Sequence, residues 1–269
     1  MKYQLICVDI DGTLLNDHKV LLPRVRQSLR DASEMGVRIA LISGRMPAGV
    51  ESIEKELGIS CIKVCNAGTY ILMGDHCVHA EYLLPSTMKN IYLEIAKKNH
   101  LPLWIFQDRK WFVTDIDRYI EREIEIIEYQ PEIVDAEYLA DQWEEEGRGP
   151  SKLLIAASPE RISKIAQEIE EHAWEDVDTA CSADTFLEIY PKGITKGTAL
   201  VTICEQLDIP LESVIAFGDH ELDIPMIETA GVGVAMGNAI KELKSAADFV
   251  TKTNNEAGVA YATEIYLAK

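Results

Sequence analysis

The stretch Leu5-Ile6-Cys7-Val8-Asp9-Ile10-Asp11-Gly12-Thr13-Leu14-Leu15 constrains the fold of this 269-residue chain most tightly. An apolar, β-branched run stops abruptly at Asp-Ile-Asp-Gly-Thr. A short continuous apolar run closed by a glycine turn reads as a strand buried on both faces, as in a parallel sheet. Ligands of open α/β sheets bind at the carboxyl ends of the strands. Residues two apart on a strand share a face, so Asp9 and Asp11 are expected to face one pocket. Gly12 permits positive φ directly after them. Two carboxylates that close repel, and one can hold a proton while the other stays ionised. A divalent cation would shift that balance, leaving one carboxylate as nucleophile and the other as general acid and base. The competing reading is a solvated Asp-Gly turn behind a strand.

The residues that follow repeat an alternating rhythm. Residues 23–35 read as a helix, with Val25, Leu29 and Ala32 at helical spacing and Gly36 past its end. A strand at 37–42 runs into Ser43-Gly44-Arg45, and a helix at 47–57 ends at Gly58. This βαβα order predicts a parallel sheet with right-handed crossovers. Ser43 and the Gly44 amide precede a helix, a place that suits an anion or an ordinary N-cap. A strand at 62–66 and a hairpin around Gly74-Asp75 come next. From Pro85 the rhythm changes to α+β: a helix to about Lys98, strands at 103–106 and 111–114, an acidic stretch at 121–146, then strand, helix and two strands up to Tyr190. The acidic stretch reads as a solvated face. Trp104, Trp111 and Trp143 read first as core, with a substrate cavity as the alternative. A helix at 195–207 carries Lys196 in its first turn, where a cation opposes the helix dipole. A phosphate or an aspartate is expected to compensate it. A strand at 213–217 ends in Gly218-Asp219, with Asp223 one helical turn beyond Asp219. Asn238 is expected to cap a helix reaching Ser245.

Four of these pieces carry a resemblance. Asp9-Ile10-Asp11-Gly12-Thr13-Leu14 resembles motif I of the haloacid dehalogenase (HAD) superfamily of phosphotransferases. Ser43-Gly44-Arg45, Lys196 within Gly193-Ile194-Thr195-Lys196-Gly197, and Gly218-Asp219-His220-Glu221-Leu222-Asp223 follow in that superfamily's order. The tail from Glu228 to Ala239 is similar to the Cof-type (YidA-like) sugar-phosphatase branch. The resemblance implies an α/β, Rossmann-like parallel-sheet core at 1–84 and 190–269, with an inserted α+β cap of type C2 at 85–189. It implies hydrolysis of a small phosphate monoester. Asp9 would attack phosphorus, and Asp11 would serve as general acid and base. Ser43, Gly44 and Lys196 would neutralise the phosphoryl charge, and Arg45 would contact the substrate. Mg2+ would be held by Asp9, Asp219, Asp223 through water and the Asp11 backbone carbonyl, the hard oxygen set that magnesium takes. The cap would close over the substrate. Two departures stand out. Asn66-Ala67-Gly68 has the last two residues of the usual Asn-Gly-Ala exchanged, and Leu222 stands where the branch usually has Asn. The departure at Leu222 keeps open a module that binds phosphorylated metabolites without turnover; a phosphomutase is the other rival.

The net charge of −19 bears on partners. Such a field repels nucleic-acid backbones and anionic membrane surfaces; the small phosphorylated metabolite that the resemblance implies can still bind where metal, lysine and helix amino ends supply local positive charge. No apolar run reaches the ~20 residues of a membrane span, and 47% apolar residues suit a soluble globular protein. The chain enters a core strand straight after Met1-Lys2 with no leader in sight. The six cysteines are scattered, as free thiols of a cytoplasmic protein would be. Cys61-x-x-x-Cys65 and His76-Cys77-Val78-His79 suggest zinc, but no paired knuckle spacing accompanies them. The glycines at 231–237 lack the dinucleotide spacing and read as a buried strand.

Overall fold

The computed structural model describes residues 2–268. In chain order the first elements are β1 (Leu5–Asp9), α1 (Pro23–Glu34), β2 (Arg38–Ile42), α2 (Pro47–Leu57), β3 (Ile62–Cys65), β4 (Tyr70–Met73) and β5 (His76–Ala80). An inserted stretch adds α3 (Pro85–Ile91), β6 (Trp104–Gln107), β7 (Lys110–Val113), α4 (Arg118–Ile127), β8 (Glu132–Ile133), α5 (Ala136–Glu146), β9 (Lys152–Ala156), α6 (Pro159–His172), β10 (Val177–Ala183) and β11 (Phe186–Pro191). The chain closes with α7 (Lys196–Leu207), β12 (Val214–Gly218), α8 (Ile224–Thr229), β13 (Val232–Ala235), α9 (Lys241–Ala246), β14 (Phe249–Val250) and α10 (Gly258–Leu267).

Two compact units result. The first comprises the chain up to Arg45, Val50–His79 and the chain from Thr195 on; the second comprises Met46–Gly49 and Ala80–Ile194. The first unit is built on an eight-stranded sheet in the order β14-β13-β12-β1-β2-β3-β4-β5. The pairings from β14 to β3 are all parallel, and β4 turns back antiparallel on β3. β1 lies between β12 and β2, with Leu5 opposite both Val214 and Arg38 and Val8 opposite both Phe217 and Leu41. Leu5, Ile6, Cys7 and Val8 are fully buried. A parallel strand in mid-sheet has both edges paired and both faces covered, hence its unbroken apolar run. The carboxyl ends of β1, β2 and β12 bring Asp9, Ser43 and Asp219 to one rim of the sheet.

The second unit is an α+β module on a six-stranded sheet in the order β10-β11-β9-β6-β7-β8. Residues alternate between its faces. Ile105, Phe112, Leu153, Ile155 and Leu187 pack with residues of α3, α5 and α6. Trp104, Phe106, Trp111 and Leu154 point the other way and pack with Ile120 of α4 and with Met46. Trp104 and Trp111 have ring centroids 5.2 Å apart, and with Trp143 they are core residues. The acidic stretch is largely two helices, α4 and α5. Each begins on an aspartate cap: Asp117 accepts from the Tyr119 and Ile120 amides, and Asp135 from those of Glu137 and Tyr138. Ile120 of α4 and Leu139 and Trp143 of α5 face inward, while most of the acids face water. Among the described residues no helix is long and apolar enough to cross a membrane.

Candidate active site

β1 ends at Asp9 and the chain folds back at once. The Leu14 amide donates to the Asp9 carbonyl at 3.1 Å, and the Leu15 amide to that of Ile10 at 3.0 Å. Gly12 turns this corner at φ +87. A Cβ on Gly12 would sit 2.3 Å from Asp219 Oδ2, so glycine is required for conformation and for space. Thr13 then donates its hydroxyl to Asp219 Oδ1 at 2.7 Å, tying the loop after β1 to the loop after β12. Asp223 organises that second loop. Its Oδ2 accepts from the amides of Asp219 (2.9 Å) and His220 (3.0 Å). A Cβ on Gly218 would stand 2.4 Å from the Asp223 Cβ, which explains the glycine at the end of β12.

Lys196 opens α7 behind Thr195, whose hydroxyl accepts from the Thr198 amide at 3.1 Å. The ammonium is buried and donates to Asp9 Oδ1 at 2.6 Å and to Asp223 Oδ1 at 2.5 Å. Those two aspartates compensate a cation placed against the helix dipole. Burial lowers the Lys196 pKa, but the charges of Asp223 and Asp9 outweigh it and hold the amine protonated. Asp9 shifts well up: burial raises it most, Lys196 opposes, and the charges of Asp223 and Asp219 add to the rise. Asp219 is also raised, first by burial, although the Thr13 hydrogen bond pulls the other way.

Ligand oxygens of Asp9, Asp219 and Asp223 lie within 4.8 Å of one another. Three carboxylates share this pocket with one ammonium, which leaves two negative charges in a buried place. Hard oxygens and a local charge of that size fit a divalent cation such as magnesium. Both Asp223 oxygens already carry donors, so its main part here is to hold Lys196 and the Asp219 turn.

Asp11 is not in that group. The expected like-charge pair with Asp9 is replaced by a cationic clamp. Arg45 donates from Nε to Asp11 Oδ2 and from Nη2 to Oδ1, both at 2.8 Å, and Lys19 Nζ reaches Oδ1 at 2.7 Å. Burial alone would raise the Asp11 pKa, but Arg45 and then Lys19 outweigh it and lower it to about 2. Arg45, expected to meet a substrate, thus meets Asp11 here.

Ser43 is buried at the end of β2, and its Oγ accepts from the Arg45 amide at 3.2 Å. The turn after β3 braces the Ser43-Gly44-Arg45 loop. The Asn66 amide donates to the Arg45 carbonyl at 2.9 Å and the Ala67 amide to that of Ser43 at 3.1 Å. Asn66 and Ala67 are both left-handed there, at φ +50 and +63. Leu222 is half-buried within a 3-10 turn at Glu221–Asp223, between Asp219 and α8.

Two participants had no expected role, Thr13 and Lys19, and a third, Asn238, was expected only as a helix cap. Thr13 and Asn238 lie inside the quoted motifs, whereas Lys19 carried no signal. Asn238 does not cap α9, whose N-cap residue is Ile240. Instead its Nδ2 donates to the Gly12 carbonyl at 2.8 Å and its Oδ1 accepts from the Asn254 amide at 2.9 Å. A side chain this close to the β1 loop gains more from that carbonyl than from a helix three residues on.

Comparison with known proteins bears on this site. The family of haloacid dehalogenase-like hydrolases matches residues 6–263. Phosphatase YwpJ of Bacillus subtilis is 31% identical over 288 residues, covering 96% of this chain and 98% of that protein. The 5-amino-6-(5-phospho-D-ribitylamino)uracil phosphatase YcsE of the same organism is 28% identical, with 96% and 94% covered. The crystal structure of a haloacid dehalogenase-like hydrolase from Bacteroides thetaiotaomicron superposes with a TM-score of 0.87 at 30% identity, over 98% of this chain and 99% of that one. The chain therefore belongs to the haloacid dehalogenase-like hydrolases, as a phosphatase of that family.

Proposed function

We propose that this phosphatase hydrolyses small phosphate monoesters of sugar or sugar-alcohol type, with magnesium, through a phosphoryl group carried on Asp9. The observation behind this reading is the cluster at the end of β1: buried Asp9 bears Lys196 on Oδ1 and shares a cation-sized site with Asp219 and Asp223. The name of YcsE gives a phosphate on a ribityl chain as that relative's substrate, which supports a polyol leaving group.

In this mechanism the Asp9 carboxylate attacks phosphorus and the bond to the leaving oxygen breaks. Lys196 favours the ionised Asp9 carboxylate against the burial that raises its pKa, and fixes it in direction. Asp9, Asp219 and the Asp11 carbonyl, with Asp223 behind them, would hold magnesium, which would supply positive charge to the carboxylates and the phosphoryl oxygens. Ser43 Oγ and the Gly44 amide hold the phosphoryl group, and Arg45 contacts the substrate. Asp11 protonates the leaving oxygen and later takes a proton from the water that attacks the phosphoaspartate. In the arrangement seen, Arg45 and Lys19 disfavour the protonated acid. The clamp therefore loosens as substrate arrives, and the cations turn from Asp11 to the substrate.

The test is phosphate release from a panel of monoesters, with magnesium and with EDTA. Release should require the metal. Asp9→Asn should lower it by at least about a thousandfold, the scale for losing a nucleophile. No release from any monoester would overturn the reading, and return of the phosphoryl group to another sugar hydroxyl would replace hydrolysis by a mutase reaction.

A further inference from the structure

The loop after β13 is anchored on both sides of Asn238. The Met236 amide donates to the Gly218 carbonyl and the Gly237 amide to that of Lys252, each at 3.0 Å. Lys244 Nζ donates to the Gly237 carbonyl at 2.8 Å. A Cβ on Gly237 would stand 2.8 Å from the Thr253 nitrogen, so this loop lies directly against the loop after β14. Beyond Asn238, the Ile240 amide donates to the Asp219 carbonyl at 3.0 Å. Asn238 projects from this fixed backbone with both ends of its side chain engaged. Its Nδ2 donates to the Gly12 carbonyl at 2.8 Å, and its Oδ1 accepts from the Asn254 amide at 2.9 Å. A carbonyl only accepts and a backbone amide only donates, so the orientation of the Asn238 side chain is fixed by its partners.

These bonds close a ring around Asp219. From Gly12 the ring runs through Asn238 and Ile240 to the Asp219 carbonyl. It returns from Asp219 Oδ1 through the Thr13 hydroxyl, 2.7 Å away, to the same turn. The cluster has need of such a brace. Its carboxylates come from two loops, Asp9 from the end of β1 and Asp219 and Asp223 from beyond β12. They repel one another: the charges of Asp223 and Asp219 both raise the Asp9 pKa. Ligands that already stand together bind an ion more tightly than ligands that must first be drawn in, because preorganisation lowers the ordering cost of binding. Of the two ties at this turn, that of Thr13 ends on a carboxylate oxygen of the cluster, which a cation would also draw on. That of Asn238 ends on a backbone carbonyl and holds the turn whether or not an ion is bound.

We propose that Asn238 is a positioning residue that sets the magnesium affinity of the site by holding the turn after β1 against Asp219. The proposal rests on the magnesium-dependent reading above and deepens it, by naming a residue that prepares the site for the ion. Asn238 acts through the Gly12 carbonyl. Partners that orient metal ligands contribute about ten- to a hundredfold in metal affinity. Asn238 bonds a neighbour of the expected ligands, so the lower end of that range, about tenfold, is expected. The side chain is exposed, and water can serve the Gly12 carbonyl in its place, so the fold survives its removal.

The experiment titrates magnesium chloride into the full chain without substrate, read by calorimetry, with thermal unfolding alongside. Asn238→Ala and Asn238→Ser should each raise the magnesium dissociation constant about tenfold. Asn255→Ala is the control. Asn255 also joins the loop after β14 to the loop after β1, donating from Nδ2 to Asp17 Oδ2 at 2.8 Å and accepting from the Asp17 amide at 3.3 Å, but its side chain lies outside the ring. Its removal should lower the unfolding midpoint and leave the magnesium dissociation constant unchanged. With an ester that the wild type hydrolyses, the Asn238 variants should lose kcat/KM at limiting magnesium and regain it at saturating magnesium. An unchanged dissociation constant in both Asn238 variants, an equal weakening in Asn255→Ala, or a turnover loss that magnesium does not restore overturns the proposal and leaves the hydrolase reading in place. Asn238 variants that do not fold would make the residue structural and overturn the proposal as well. A wild-type protein that binds no magnesium overturns both the proposal and the magnesium dependence it rests on.

Discussion

Replacing Lys196 by Met separates the electrostatics of this site from its chemistry. The methionine matches the lysine stem in bulk and removes the ammonium that bridges Asp9 and Asp223. Breaking a buried ion pair by removing one partner costs about 3–5 kcal/mol. Here two carboxylates lose their partner at once, but Asp9 can limit the loss by taking up a proton. Its pKa already lies above the ordinary carboxylate value, and losing Lys196 removes the strongest influence that lowers it. A carboxyl whose folded pKa is raised binds its proton more tightly in the folded state, so its penalty grows as pH rises from the unfolded value towards the folded one. The variant should therefore lose about 4 kcal/mol at pH 8 and ~1–2 kcal/mol less than that at pH 5.5. Urea unfolding in metal-free buffer, followed by far-UV circular dichroism, measures this. Fluorescence would not serve, because Trp104, Trp111, Trp143 and Trp174 all lie in the second unit. A loss below about 1 kcal/mol at both pH values, or a larger loss at the lower pH, would refute the reasoning.

Three other outcomes follow from the geometry. Magnesium at about a hundred times its dissociation constant should stabilise the wild-type protein by ~2.7 kcal/mol; Asp219→Asn should remove most of that gain, as read by thermal unfolding without substrate. Ala67→Gly should raise stability by about 0.5–1 kcal/mol, since relief of the left-handed alanine outweighs glycine's greater freedom in the unfolded chain; an unchanged or lowered unfolding midpoint would count against it. Leu222→Asn should raise kcat/KM for the best ester by about ten- to a hundredfold, the size of one hydrogen bond to a charged group; a folded, magnesium-binding variant without a gain would show that the missing asparagine is already compensated.

What could be read from the sequence depended on how local its cause was. The β1 run, the α6 helix at Pro159–His172 and the carboxyl-end position of Asp9 follow from short patterns. Lys196 was legible as an anomaly, a cation in a first helical turn, and the aspartates that resolve it are Asp9 and Asp223. The acidic stretch hid two helices, because dense glutamates masked the sparse inward face of Ile120, Leu139 and Trp143. Asn238 was misjudged for another reason. An Asn ahead of a helix has a local use as a cap, while its actual partner, the Gly12 carbonyl, is 226 residues away in sequence. The clamp on Asp11 was equally hidden. It needs Lys19 in a left-handed turn and Arg45 returned from the end of β2, and neither follows from periodicity.

The covalent role of Asp9 is tested most directly by trapping. The wild-type enzyme, mixed with magnesium and its best ester, is quenched in acid, and a phosphoaspartate is then reduced with borohydride to homoserine. Mass spectrometry of the peptide spanning β1 reads the site. The account predicts homoserine at position 9 in the quenched wild-type enzyme, and none without substrate or in Asp9→Asn. Homoserine at position 11, or rapid turnover with no modification at position 9 at any quench time, would contradict it.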